Sequence, residues 1–224
     1  MAKTHKDFSL REKKYARTKI ALVQEFMDRM KTTRFSEIPI KEVCEKVEVS
    51  EGTFYNYFHH KMEILEYYFI LAFLKVIWTV ENDEGRKNYR QKIEYIFDHI
   101  ANEIQEPFMF YEIMSVKTSE HLMRKEEMEL TEVEKVLAFP DCEGIEHIST
   151  SRIDQYFEKI LKAAQKDKQL PAGVSVDDLL VSLMSTMIGV PLTIETEDFG
   201  KLKKLFGTQL SLLWGGLDHK GKKS

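Results

Sequence analysis

Cysteine is scarce in this sequence of 224 residues, which contains only Cys44 and Cys142. The two lie far apart, without CxxC spacing or a neighbouring His-x-x-His pair, so neither a disulfide framework nor a structural zinc site is predicted. No other metal site and no cofactor is indicated. The sequence also lacks a phosphate-binding glycine loop, a nucleophile paired with a base, and paired carboxylates in a recognisable context. These absences predict that the protein is not an enzyme.

Long hydrophobic runs are absent as well. The stretch 179–194 carries no charged residue, but it is too short and too rich in Ser and Thr for a good membrane span. The chain starts with Lys3, His5 and Lys6 where a cleavable signal would have an apolar run. We therefore expect a cytoplasmic protein with no membrane partner.

The charge is unevenly distributed along the chain. Residues 1–61 hold 13 Lys and Arg against 9 Asp and Glu, a formal charge of +4, whereas the rest holds 20 against 28, a charge of -8. Because contact with phosphates needs Lys and Arg only where a protein meets the duplex, this asymmetry suggests a basic DNA-binding part on an acidic remainder.

A pair of short helices is predicted between Ile40 and Phe58. Apolar residues at i, i+3, i+4 and i+7 from Ile40 to Val47 indicate a helix with one buried stripe, on which Cys44 is a small core residue. Ser50 is a favourable N-cap for a second helix that starts at about Glu51. In that helix only Phe54 and Phe58 have the spacing of packing residues.

The rest of the second helix suits a polyanion. It carries small, hydroxyl, amide and aromatic side chains, with no carboxylate after Glu51. In helix-turn-helix proteins the N-terminal residues of the second helix meet base edges, while neighbouring hydroxyls and amides bind phosphates. The pair therefore predicts a DNA-reading helix-turn-helix.

Three segments of the sequence resemble the DNA-binding signature of the tetracycline-repressor (TetR) family of transcriptional regulators. They are Val43-Cys44, Val49 to Phe58, and Lys61 to Leu65, within a dense match from about Leu22 to Leu65. Three positions depart from the pattern. Glu48 stands where the family usually has the turn glycine, Arg34 replaces the Gly before the aromatic Phe35, and Pro39 replaces the usual Ser or Thr cap. The turn must therefore form without the residue that most easily adopts a positive φ.

Helical periodicity continues through the rest of the chain, and no strand pattern competes with it. We predict an all-α fold with an N-terminal three-helix helix-turn-helix DNA-binding domain over residues 1–57. A larger helical domain for effector binding and dimerisation is expected over residues 58–224. The DNA-binding candidates are Lys41, Ser50, Gly52, Thr53, Tyr55, Asn56, Tyr57 and Lys61.

Two further sets of residues are predicted for the larger domain. Aromatic residues and methionine offer adaptable apolar area for a ligand pocket, although a plain core accounts for them equally well. The pocket candidates are Phe73, Trp78, Phe97, Ile100, Phe108, Phe110, Tyr111 and Met114. The last two helices carry enough apolar surface for a subunit interface, and the resemblance implies a four-helix dimer bundle. The interface candidates are Leu180, Leu183, Met187, Leu202, Phe206, Leu210 and Leu213.

The resemblance implies a homodimeric, sequence-specific regulator, usually a repressor, that binds a palindromic operator in double-stranded DNA. A small hydrophobic effector would lower its DNA affinity. Two alternatives remain at this point: a constitutive DNA-binding protein without an effector, and an all-helical enzyme with a cleft in the larger domain.

Overall fold

The chain is entirely helices and connecting turns over the residues that the structure describes, which confirms the predicted all-α class. The structure is a computed structural model, and it describes residues 8–83, 85, 88–103, 108, 110–114, 128–149, 152–194 and 196–221. In these ranges no helix combines the length and the apolar content that crossing a membrane requires.

The chain divides into two compact units, each built from two separate stretches of sequence. The described residues of Met1–Trp78 and Phe108–Ser151 form the first unit, and those of Thr79–Pro107 and Arg152–Ser224 form the second. The first unit thus joins the helix-turn-helix region to a segment from the middle of the chain. The predicted domain boundary after residue 57 stays a prediction.

Helices of the first unit surround a core of aromatic and aliphatic side chains. Fully buried members include Phe26, Phe54, Phe58 and Tyr67. Residues 110–114 are helical too. The other elements are α1 (Leu10–Met30), a 3-10 turn (Phe35–Glu37), α2 (Ile40–Lys46), α3 (Glu51–Tyr57), α4 (Met62–Asn82, which runs into the second unit), α6 (Glu132–Ala138) and a 3-10 turn (Ile145–His147).

The longest helix of the helix-turn-helix region, α1, begins at a capping box. The Ser9 hydroxyl accepts from the Glu12 backbone N–H at 3.2 Å, and the Glu12 carboxylate accepts from the Ser9 N–H at 2.8 Å. Phe26 lies on the buried face of α1 and meets Phe35 edge-on, with 5.6 Å between ring centroids. Phe26 also shares a buried core with Val43 of α2 and Phe54 of α3. This core supports both helices, which are too short to be stable alone.

The described part of the second unit contains four complete helices in addition to the last turn of α4. They are α5 (Tyr89–Glu103), α7 (Ile153–Lys166), α8 (Val176–Leu192) and α9 (Leu202–Gly221), with a 3-10 segment at Thr196–Lys201. Phe97 of α5 stacks on Phe157 of α7, with ring centroids 6.0 Å apart, and meets Phe206 of α9 edge-on at 5.0 Å. All three rings are buried, so this cluster joins three of the four helices.

Candidate nucleic-acid interface

The second helix of the predicted pair, α3, presents a polar surface on an apolar base. The Ser50 hydroxyl accepts from the Thr53 N–H at 3.1 Å and lies 2.9 Å from the Thr53 hydroxyl, so Ser50 is the predicted N-cap. Phe54 and Phe58 are fully buried, as their spacing predicts. We name α3 the reading helix after the role predicted for it.

The outward side of the reading helix carries the predicted contact residues. Gly52, Tyr55 and Asn56 are exposed, with 51% of the Tyr55 surface accessible, and Thr53 is half-buried. A Cβ added at Gly52 would meet only the Ser50 hydroxyl, at an ordinary 3.7 Å. The packing of the chain itself therefore does not require glycine at this position.

The turn before the reading helix forms without glycine. Glu48 adopts the left-handed conformation, with φ of 59°. The Val49 N–H donates to the Cys44 carbonyl at 2.9 Å and the Glu48 N–H donates to the Glu45 carbonyl at 3.2 Å. These two bonds are the pattern of a Schellman motif, in which the residue after the C-cap is usually glycine. Glu48 thus performs the backbone role of the missing glycine, at a steric cost.

Lys61 points into the first unit. Its ammonium donates to the carbonyl of Ile38 at 2.7 Å and also to that of Phe35, and it lies 4.8 Å from the centre of the Phe35 ring. Burial lowers the pKa of Lys61 below the ordinary lysine value. In this arrangement Lys61 holds the chain between α1 and α2, which favours a structural role over phosphate contact.

Lys41 is the more available of the two predicted lysines. Its side chain is 71% exposed on α2, and it forms a loose 3.8 Å ion pair with Glu45 one turn along the same helix. Pro39 precedes α2 and gives it no side-chain cap, as the departure from the family pattern predicts.

Tyr57 is half-buried at the end of the reading helix. Its ring meets that of Tyr15 on α1 edge-on, with centroids 4.4 Å apart. Desolvation by burial, with the nearby Glu134 carboxylate, raises the pKa of Tyr15.

Sequence reasoning missed Tyr15, which contacts Tyr57 of the reading helix, and the pair formed by Lys19 and Glu134. Lys19 and Glu134 form a buried ion pair of 3.0 Å. A signal for Lys19 was present, because it lies between Ala16 and Val23 on the apolar stripe of α1. Glu134 also carried a signal, because Thr131 and Glu134 have the Thr-x-x-Glu spacing of a capping box, whereas no comparable signal marks Tyr15.

The predicted pocket residues are divided between the two units. Phe97 and Ile100 are buried in the second unit, where Phe97 belongs to the aromatic cluster. In the first unit, Phe73 stacks on Phe69, and the Trp78 indole N–H donates to the Glu143 carbonyl at 2.8 Å. The others, also in the first unit, are the buried Phe110, the half-buried Tyr111 and Met114, and the exposed Phe108. The ligand pocket stays a prediction.

Most of the predicted interface residues are buried in the second unit itself. Leu180 and Leu213 are half-buried, and the inward-facing residues are Leu183, Met187, Leu202, Phe206 and Leu210. The apolar side chains left exposed on α8 are Val181, Ile188 and Leu192, and on α9 Leu212, which is 66% exposed. A shallow groove on the α8 surface is lined by Asp154, Leu180, Val181, Met184, Ser185, Ile188 and Gly189.

No metal centre accompanies these surfaces over the described ranges, where no three His, Cys, Asp or Glu side chains are grouped as ion ligands. The candidate site in the described first unit is instead an exposed polar helix, which is capped by Ser50 and packs on a buried core through Phe54 and Phe58.

Comparison with solved structures defines the class of fold. GusR of Salmonella enterica is similar over 90% of this chain and 96% of its own, with a TM-score of 0.61 and 14% identity. A TetR-family transcriptional regulator from a Rhodococcus species is similar over 85% of this chain and 95% of its own, with a TM-score of 0.56 and 14% identity. A regulatory protein of the TetR family from Rhodococcus RHA1 is similar over 89% of this chain and 96% of its own, with a TM-score of 0.50 and 10% identity.

The chain has a TetR-like fold, which confirms the resemblance at the level of architecture. No protein-family model and no curated protein matches the sequence.

Proposed function

We propose that this protein is a sequence-specific transcriptional regulator that binds double-stranded DNA as a homodimer. The observation that carries the proposal is the reading helix, which exposes hydroxyl, amide and aromatic groups on a TetR-like fold. The similar Rhodococcus proteins are TetR-family regulators, which supports a regulatory rather than a catalytic role.

The predicted contact residues have distinct roles in this proposal. Tyr55, Asn56 and Thr53 contact base edges and backbone in the major groove, and Tyr57 contributes from the end of the helix. Ser50 and Lys41 bind phosphates. Gly52 has room for a Cβ within the chain, so we assign its glycine to close approach of the helix to DNA.

The geometry of DNA recognition and the surface of the second unit both support the proposed homodimer. Two copies of the reading helix must enter major grooves about one helical turn apart, or a multiple of it, on a palindromic operator. The exposed Val181, Ile188 and Leu192 recur along one side of α8, and Leu212 adds apolar surface on α9. Burying these side chains against a second copy supplies a driving force for association.

The protein acts in the cytoplasm as a repressor that a small hydrophobic effector releases from DNA. An effector lowers DNA affinity when it binds a dimer conformation with the wrong separation of reading helices more tightly than the DNA-bound one. The aromatic and methionine residues Phe110, Tyr111 and Met114 are the apolar candidates for its contact surface.

The test is selection from random duplex DNA with the purified protein, followed by sequencing and by sizing of the complex. A palindromic site bound by one or two dimers is expected. Tyr55→Ala should keep the helical circular dichroism spectrum and lose enrichment, because the exposed ring does not support the core. A folded protein that enriches no sequence would overturn the proposal.

A further inference from the structure

A charged pair lies inside the first unit, where charge is costly. The ammonium of Lys19 on α1 is 3.0 Å from the carboxylate of Glu134 on α6, and their side chains are 9% and 1% exposed. Among the described residues, these are the polar or charged ones that are buried. Buried ion pairs stabilise folds weakly or not at all relative to apolar residues of similar size, and in some proteins their value lies in fixing one arrangement.

Glu134 is held firmly from its own helix. One carboxylate oxygen accepts from the Thr131 N–H at 2.8 Å and from the Thr131 hydroxyl at 2.7 Å. The other oxygen accepts from the Tyr67 hydroxyl of α4 at 3.1 Å and faces Lys19. The carboxylate is therefore saturated and fixes α6 to both α1 and α4.

Lys19 lies directly behind the reading helix. Its ammonium is 4.4 Å from the centre of the Tyr67 ring and 5.6 Å from that of Phe58, the residue that follows the last turn of the reading helix. One turn earlier on α1, Tyr15 meets Tyr57 of the reading helix at 4.4 Å. The same face of α1 thus holds both the ion pair and the end of the reading helix.

We infer that Lys19 and Glu134 are positioning residues for DNA recognition. Through them α6 fixes α1 and α4 in the one orientation that sets the reading helix for the major groove. Residues 131–138, far from the helix-turn-helix in sequence, then belong to the DNA-reading machinery. The inference rests on the proposed DNA binding.

The direction in which Glu134→Gln changes DNA affinity distinguishes a positioning role from simple electrostatics. Glu134→Gln keeps the shape of the side chain and removes one negative charge, so Coulomb attraction alone would strengthen binding to DNA. Positioning predicts the opposite, because the uncompensated Lys19 charge must move and the reading helix moves with it. Losing the alignment of one base contact corresponds to a Kd raised about tenfold.

The experiment is a fluorescence-anisotropy titration of the selected duplex with the full-length protein, Glu134→Gln and the double variant Lys19→Met/Glu134→Gln. All are measured at a temperature where circular dichroism shows each to be folded. The double variant removes both charges, so it should regain a thermal midpoint close to that of the wild type. Its Kd should nevertheless stay about tenfold weaker than that of the wild type. Asp28→Asn, which removes an equal charge from exposed surface of α1, is the control and should not weaken binding.

The outcomes distinguish the inference from the proposed function. A Kd for Glu134→Gln that equals or improves on that of the wild type would overturn the inference. So would a double variant that recovers stability and affinity together, since the pair would then be only structural. If the wild-type protein selects no duplex, the proposed function fails and this inference fails with it.

Discussion

Glu48 provides a measurable test of how the reading helix is attached to α2. At φ of 59° the Glu48 Cβ is crowded against the neighbouring backbone. Glycine has no Cβ and would avoid this contact. The left-handed conformation costs a non-glycine residue about 1–2 kcal/mol. Glycine, in turn, loses about 0.5–1 kcal/mol more in conformational freedom on folding. Subtracting the second cost from the first predicts that Glu48→Gly raises the free energy of unfolding by at most about 1.5 kcal/mol, with a central expectation of about 0.5–1 kcal/mol.

Denaturant unfolding followed by circular dichroism measures this gain as a shift of the midpoint at unchanged slope. Glu48→Ala is the first control, because it removes the charge and keeps the Cβ, and it should give no comparable gain.

Lys168 provides the second control, since it ends α7 in the same way. Its φ is 56°, the Gln169 N–H donates to the Ala164 carbonyl at 2.8 Å, and the Lys168 N–H donates to the Gln165 carbonyl at 3.1 Å. Lys168→Gly should gain a similar amount without affecting DNA affinity. A midpoint for Glu48→Gly at or below that of the wild type, or an equal gain in Glu48→Ala, would refute the steric reasoning.

Three further substitutions separate binding, folding and association. Gly52→Ala should lose DNA affinity in an anisotropy titration while remaining at least as stable as the wild type, because alanine is favoured over glycine in helices by about 1 kcal/mol. Lys61→Met should lower the free energy of unfolding by about 1–3 kcal/mol, because the buried Ile38 carbonyl loses its donor. Leu212→Glu should convert dimers to monomers in analytical ultracentrifugation, because a carboxylate would be placed on the apolar surface of α9.

Each of these has a contrasting outcome. Unchanged DNA affinity of Gly52→Ala would remove the argument for close approach at that glycine. Lys41→Met is the matched control for Lys61→Met. Loss of the exposed Lys41 ammonium should weaken DNA binding and leave the unfolding midpoint unchanged. A Leu212→Glu protein that stays dimeric, with its helical spectrum intact, would show that the dimer does not depend on the exposed surface of α9.

Local features of the helix-turn-helix were predictable from sequence because they depend on neighbouring residues. The Ser50 cap and the buried spacing of Phe54 and Phe58 are found as predicted. The departure at Glu48 also correctly identified where a positive φ has to be adopted without glycine.

Features that depend on long-range contacts were harder to predict from the sequence. A lysine that follows a DNA-binding motif suggests phosphate contact, yet the partners of Lys61 are carbonyls more than twenty residues earlier in the chain. Nothing local in the sequence marks those carbonyls as lacking a donor. Likewise, α8 is apolar on several sides, so periodicity alone could not show that Leu183 faces inward while Val181 faces outward. The pairing of Lys19 with Glu134 depends on tertiary packing in the same way.

The most direct test of the account is a titration of the selected duplex and of a shuffled duplex of equal composition, each at several salt concentrations. The account predicts that the selected duplex binds at least about a thousandfold more tightly, with log affinity falling linearly as log salt rises. Equal affinity for the two duplexes, at every salt concentration and with the protein folded, would contradict sequence-specific recognition by the reading helix.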